Sequence, residues 1–92
     1  MLSFRKRLMS VLSSADDIGS DNAEMGDVIA LMCSILDDNP NMQGCRLGDT
    51  VNKAVEDAHS IYKHPAAHQL LVDIRDCFID YKIDLAQAKK SM

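Results

Sequence analysis

Apolar residues recur at helical spacing in four segments of this chain, and no segment shows the sustained apolar–polar alternation of a strand. The four segments predict helices at about residues 3–18, 21–38, 50–63 and 66–89. The 92 residues of the chain fit one domain rather than two. We therefore predict a single all-α domain over residues 1–92, a compact four-helix bundle with up-down connectivity.

The second predicted helix has the clearest start and end signals. Asp21, with Glu24 three residues later, resembles a capping box, in which side chains satisfy the free amides of a helix N-terminus. Gly19 can end the preceding helix, because a helix C-terminus often takes a left-handed residue. Pro40 ends the second helix, because the residue before a proline is disfavoured in the helical conformation.

The connection between the second and third helices is predicted to be the longest in the chain. It covers Asn39–Gly48 and is rich in Asn, Pro and Gly. Asp49 or Thr50 is expected to cap the third helix. Pro65 suits the first position of the fourth helix, where the missing backbone amide removes no helical hydrogen bond.

The chain is acidic, and its charges are unevenly distributed. The formal net charge is -4, so the broad positive potential that binds phosphates is lacking, and we expect no nucleic-acid partner. No Lys or Arg lies between Leu8 and Cys45. The acidic residues of that stretch are Asp16, Asp17, Asp21, Glu24, Asp27, Asp37 and Asp38. This predicts either a negative end that attracts basic partners or an ordinary solvated face.

The three cysteines do not form a disulfide or metal-binding pattern. Their number is odd and no CxxC spacing occurs, whereas secreted disulfide frameworks usually have an even number. We therefore predict free thiols in a reducing compartment, which favours a cytoplasmic protein. Cys33 and Cys77 lie in apolar helical stripes and are expected to be buried. Cys45, in the loop between Gly44 and Arg46, is expected to be exposed.

Neither a membrane span nor a signal peptide is predicted. The longest apolar run, Val28–Leu36, has nine residues, whereas a spanning helix needs about 20. The apolar run after the basic cluster Arg5–Arg7 ends at Leu12 and is interrupted by Ser10, which is too short for a signal peptide. The basic cluster has too few charges for firm membrane binding.

No residue pattern indicates an enzyme, a metal site or a cofactor. His64 and His68 have the spacing of a zinc-binding pair, yet Pro65 between them is expected to place His64 outside the helix. His59 adds a third imidazole, and surface positions are expected for all three. No GxSxG motif or glycine-rich phosphate loop occurs, and Cys45 with a histidine is no more than a chance dyad.

The fourth predicted helix has two apolar faces. The core stripe consists of Leu70, Ile74, Cys77, Phe78, Tyr81, Leu85 and Ala88. A second stripe, turned away from the first, contains Val72, Ile79, Ile83 and Ala86. A helix with two apolar faces must bury both. We predict that Val72, Ile79 and Ile83 form a homodimer interface or contact a partner, with coverage by the first helix as the alternative.

Four carboxylates follow one side of the same helix at spacings of three, four and four. They belong to Asp73, Asp76, Asp80 and Asp84. A di-metal carboxylate site would also need Glu-x-x-His motifs, which are absent. We therefore predict an acidic docking strip for a basic partner, with a solvated face as the alternative.

Part of the second half of the chain resembles type III secretion needle subunits. The matching residues are Asn52–Val55, Asp57, the turn at Pro65, Leu70–Leu71 and Asp73. Those subunits are helical hairpins whose proline-containing turn leads into a Leu-Leu helix. The likeness covers less than half of the chain and lacks the paired Asn-Pro dipeptides of that turn. It implies a helical hairpin that assembles with copies of itself, and it assigns no functional residue.

The small domain, the lack of a catalytic pattern and the surplus of apolar and acidic helix surface favour a protein-interaction module. We expect a small cytoplasmic adaptor, inhibitor or immunity-type protein that occupies the surface of a protein partner. A bacterial or phage origin would suit such a protein. The alternative is a homo-oligomeric structural or assembly protein, similar to the needle subunits.

Overall fold

The computed structural model of the protein describes residues 2–19 and 22–90. Four α-helices account for most of this part of the chain, and it contains no strand. They are α1 (Phe4–Gly19), α2 (Ala23–Asp38), α3 (Gly44–Ile61) and α4 (Pro65–Lys90). The predicted all-α class and four-helix architecture are thus confirmed.

Consecutive helices run in opposite directions, which confirms the up-down connectivity. At one end of the bundle Arg5, in the first turn of α1, donates to the carbonyl of Leu36 in the last turn of α2. Arg7 of α1 lies 2.7 Å from Asp84 near the end of α4. At the other end Glu24, in the first turn of α2, accepts a hydrogen bond from the backbone amide of Lys63, which follows α3.

Helices α1 and α4 pack against each other through the middle of the bundle, and α2 and α3 flank them. The most extensive packing is between α3 and α4, and the least is between α2 and α3. Helix α4 has 26 residues, which corresponds to about 39 Å. It is the longest helix, and its residues from Ala86 to Lys90 are all exposed.

The core is a single cluster to which all four helices contribute. Its largest fully buried side chains are Phe4, Leu8, Met32, Leu47, Leu71, Ile74, Val28 and Val51. Phe4 lies among aromatic rings, with centroid distances of 5.2 Å to Phe78 and 6.0 Å to Tyr81. Each large apolar side chain that is fully buried contributes about 1.5–3 kcal/mol, so this cluster supplies most of the stabilisation.

Helix α3 begins at Gly44, six residues earlier than predicted, so the second half of the predicted loop Asn39–Gly48 is wrong. Gly44 opens the helix with a positive φ of 63°. Thr50 lies inside the helix instead of capping it, and its hydroxyl donates to the carbonyl of Arg46 at 3.0 Å. The extra helical turns bury Leu47 completely. The Gly and Asn residues of the segment are typical of a loop and so did not predict this burial.

Gly48 is buried where α3 crosses α4. A Cβ atom at this position would lie 2.0 Å from Cε1 of Phe78, far inside van der Waals contact. The Phe78 ring is itself only 4% exposed and is held against Phe4. The close approach of α3 to α4 therefore requires glycine at this position.

The start of α2 also differs in detail from the prediction. Asn22 is the N-cap residue, and its Oδ1 accepts a hydrogen bond from the Met25 amide at 3.0 Å. Asp21, the predicted capping residue, lies outside the described residues. The Glu24 carboxylate accepts from the backbone amides of Lys63 and His64 at 2.7 and 3.0 Å, and so links the start of α2 to the α3–α4 connection.

Arg5 has an equivalent structural role at the opposite end of the bundle. Its guanidinium donates to the carbonyls of Leu36, Asn39 and Met42, which lie at the end of α2 and in the following connection. Carbonyls at a helix C-terminus have no partner within the helix. One α1 side chain therefore satisfies these groups and fixes the turn between α2 and α3.

Replacing Gly48 with alanine should destabilise the fold. The added methyl group overpacks the buried Phe78 ring, which typically costs about 1–3 kcal/mol. In a domain of this size, each kcal/mol of destabilisation lowers Tm by roughly 4–8 °C. The shift is measured by thermal unfolding followed by circular dichroism.

Gly26→Ala is the matched control, because an added Cβ there meets nothing within 4 Å. It should raise stability by roughly 0.5–1 kcal/mol, because glycine is a poor helix former. A Gly48→Ala protein as stable as the wild type would contradict the packing described here.

Replacing Arg5 with methionine should cost about 1–3 kcal/mol in urea unfolding, because three carbonyls lose a charged donor. Lys6→Met removes the same charge from an exposed neighbour and should be nearly neutral. Equal effects of the two substitutions would mean that charge, and not the carbonyl contacts, is responsible.

Candidate functional site: the outer face of α4

The carboxylates predicted to bind a partner form a continuous row on α4. We call Asp73, Asp76, Asp80 and Asp84 the acidic strip. Asp73, Asp76 and Asp80 are exposed. Asp84 is half-buried and forms an ion pair with Arg7, with 2.7 Å between Nη1 and Oδ2. One end of the strip is therefore neutralised by α1, and the other three carboxylates keep their charge available to solvent.

Three residues of the acidic strip border a shallow groove between α1 and α4, of about 350 Å³. Its residues are Leu2, Arg7, Ser10, Val11, Asp73, Asp76, Cys77 and Asp80. Helix α1 also contributes to this site, which the sequence did not predict. Arg7 looked like part of a basic surface cluster, and nothing in the local sequence relates it to Asp84, 77 positions away.

The apolar stripe beside the acidic strip is only partly exposed. Ile79 and Ile83 are 42% and 49% exposed, and we call these two residues the isoleucine patch. Val72, the third predicted interface residue, is half-buried. The alternative that α1 covers this stripe is wrong for the isoleucine patch, because Ile79 and Ile83 remain open to solvent.

Basic groups lie on the far side of the isoleucine patch from the acidic strip. Lys82 places its Nζ 4.6 Å from the centroid of the Phe78 ring, a cation–π contact. Arg75 lines a small groove with Asn52, Val55, Glu56 and His59 of α3. The outer face of α4 thus has an apolar centre with an acidic side and a basic side.

The three thiols are free but differ in exposure. Cys77 is buried, as predicted, and this burial raises the pKa of its thiol; Arg7 opposes the shift and Asp80 adds to it. Cys33 was predicted to be buried, and this is wrong: it is exposed, since the buried apolar stripe of α2 is narrower than its composition suggests. Cys45 is exposed, as predicted, but lies in the first turn of α3.

The three histidines do not converge on a common point. The rings of His59 and His68 stack with a centroid distance of 4.5 Å, and Nε2 of His68 contacts the Tyr62 carbonyl oxygen. His64 accepts a hydrogen bond from the Ala66 amide through Nδ1, at 3.1 Å, and so caps the start of α4. Within residues 2–19 and 22–90, no group of three or more His, Cys, Asp or Glu side chains could hold a metal ion.

Comparison with known proteins finds no family model that matches the chain, and no curated protein or solved structure matches it. Among the described helices, none has both the length and the apolar character required to cross a membrane.

Proposed function

We propose that the protein is a small interaction module, of the adaptor, inhibitor or immunity type, which acts by occupying the surface of a protein partner. The supporting observation is the outer face of α4, where exposed Ile79 and Ile83 stand beside the carboxylates of Asp76 and Asp80. Such a face suits a partner with an apolar contact flanked by Lys or Arg.

The isoleucine patch alone would bind weakly. Full burial of an isoleucine contributes about 1.5–3 kcal/mol, and about half of each side chain is already buried in the free protein. The remaining gain of roughly 1.5–3 kcal/mol for both corresponds to only millimolar binding or weaker. The carboxylates are therefore required to attract and orient the partner, which is the usual role of charges around an interface.

A reducing, cytoplasmic compartment is part of this proposal. Cys33 and Cys45 are exposed free thiols in a protein whose third thiol is buried. Exposed thiols oxidise or pair readily outside reducing compartments, where disulfides persist. Keeping both as thiols is compatible with function in the cytoplasm.

The proposal can be tested with a displayed library of random peptides of about 15 residues, or four helical turns. Selection against the immobilised protein should enrich sequences that combine Lys or Arg with Leu or Ile. Ile79→Gln should weaken the selected peptides by about 3- to 13-fold, from the lost apolar burial. Asp76→Asn with Asp80→Asn should weaken them only at low salt, because salt screens exposed charges.

Matched controls lie on α3. Ile61→Gln changes an isoleucine that is 67% exposed, and Asp49→Asn with Asp57→Asn removes two exposed carboxylates. Neither variant should change the affinity. If the α3 variants weaken binding as much as the α4 variants do, the outer face of α4 is not the binding surface.

Self-assembly is the second candidate, with Val72, Ile79 and Ile83 at the interface. The exposed isoleucine patch supports it, although a stable interface usually buries more than about 1,000 Å² and the patch covers a small part of that. In light scattering, a dimeric wild type and a folded, monomeric Ile79→Asp variant would support this interface. A wild-type monomer at high concentration, or a dimeric Ile79→Asp variant, would contradict it.

A further inference from the structure

From a second groove, between α1 and α2, we infer that the protein also binds a basic amphipathic helix of a protein partner. This groove lies on the other side of α1 from the acidic strip. The α1 residues that line it are Arg5, Met9, Leu12, Ser13 and Asp16, and none of them lines the α1–α4 groove. This groove is therefore a surface separate from the outer face of α4.

The groove has an apolar floor and an open mouth. Its volume is about 410 Å³, and α2 contributes Ile29, Cys33, Leu36 and Asp37. Leu12 and Leu36 are almost completely buried and form the floor, while Met9 on one wall is 55% exposed. Methionine is unbranched and adaptable, and it is common on surfaces that accept apolar side chains.

The charges around this groove fit a cationic occupant. Asp16 and Asp37 line it, and because α1 and α2 are antiparallel, they stand at its opposite ends. No Lys or Arg lies between Leu8 and Arg46. Among the described residues that line the groove, Arg5 is the cation, and its guanidinium donates to three backbone carbonyls. Arg5 keeps its positive charge at the Asp37 end, so the lining has two carboxylates and one cation, and its Asp16 end is the more negative one that a cationic side chain would approach.

These carboxylates do not serve the stability of their own helices. Asp16 and Asp17 lie in the last turn of α1, Asp37 and Asp38 end α2, and neither last turn contains a basic residue. Negative charge is unfavourable at a helix C-terminus, because the helix dipole places negative potential there. The helix dipoles therefore disfavour these carboxylates, and at the end of α2 Arg5 offsets part of this effect. A cationic ligand in the groove would be attracted most strongly by Asp16 and Asp17.

Small residues on α2 leave space for a helix to approach closely. Gly26 is exposed within α2, and an added Cβ would meet nothing, so packing does not explain the glycine. By helical spacing, Gly26 lies on the same side of α2 as Cys33 and Asp37. Exposed Ala30 falls between them on that side. These positions extend the groove with side chains too small to block a second helix.

The groove fits a helix of about three turns. The α1 residues from Arg5 to Asp16 cover roughly 17 Å along the helix axis. An amphipathic helix would place its apolar face on the floor and its Lys or Arg residues toward Asp16 and Asp37, a common mode of helix recognition.

The test uses a synthetic peptide of leucine and lysine, about 14 residues long, with leucine at helical spacing. Binding to the full chain is measured by calorimetry at low and high salt. Asp16→Asn with Asp37→Asn should weaken binding by about three- to tenfold at low salt. The same double variant should raise Tm, because it removes charges that oppose the helix dipoles. A peptide with glutamate in place of lysine should not bind.

Thiol alkylation locates the bound peptide. Cys33 lines the groove, and Cys45 is exposed but does not line it. With the peptide at about tenfold excess over its Kd, alkylation of Cys33 should slow several-fold while that of Cys45 stays unchanged. Met9→Gln should weaken binding, and Ile79→Gln should not. No binding, binding without protection of Cys33, or equal loss with Ile79→Gln would overturn the inference. Because Ile79→Gln alters the outer face of α4 and not the α1–α2 groove, it distinguishes a failure of this inference from a failure of the proposed function.

Discussion

The Phe78 ring lies directly on the backbone of Gly48, and the arrangement of the other helices depends on this contact. Without a side chain at Gly48, α3 approaches α4 more closely than any other residue would allow. The same ring packs against Phe4 in a tilted arrangement, with an interplanar angle of 58°, so α1 joins the contact. With α1 and α3 held on two sides of α4, its outer face has no neighbour, and Ile79 and Ile83 remain exposed.

The ends of the bundle are fixed by charged side chains that bind backbone groups instead of other side chains. Arg5 binds three carbonyls at one end, and Glu24 binds two amides at the other. Both satisfy groups at helix termini that a helix cannot satisfy itself. This use of charge has a consequence for recognition: Arg5 donates to backbone carbonyls, and among the described residues the carboxylate that pairs with a cation is that of Asp84, with Arg7. The acidic strip and the ends of the α1–α2 groove keep most of their charge.

Apolar periodicity predicted α1, α2 and α4 well. Each has a long apolar stripe whose residues lie on one face only if the segment is helical. The start of α3 was not predictable, because Gly44 and Gly48 suggest a loop locally, and only contact with Phe78 explains a helix there. Cys33 was wrongly predicted to be buried, because its apolar neighbours make the apolar stripe of α2 wider in sequence than the face that is buried. The row of carboxylates on α4 followed from spacing, but the ion pair of Asp84 with Arg7 joins residues too distant for local reasoning.

The distribution of aromatic residues makes the two ends of the bundle spectroscopically distinct. The chain has no Trp and two tyrosines. Tyr81 is buried with Phe4 and Phe78 near the start of α1, whereas Tyr62 is half-buried at the end of α3. Intrinsic emission is therefore the sum of one phenol in a packed aromatic cluster and one near solvent. In a Tyr62→Phe protein, tyrosine fluorescence would report on the Gly48–Phe78 end alone, so loss of packing there could be followed without an added label.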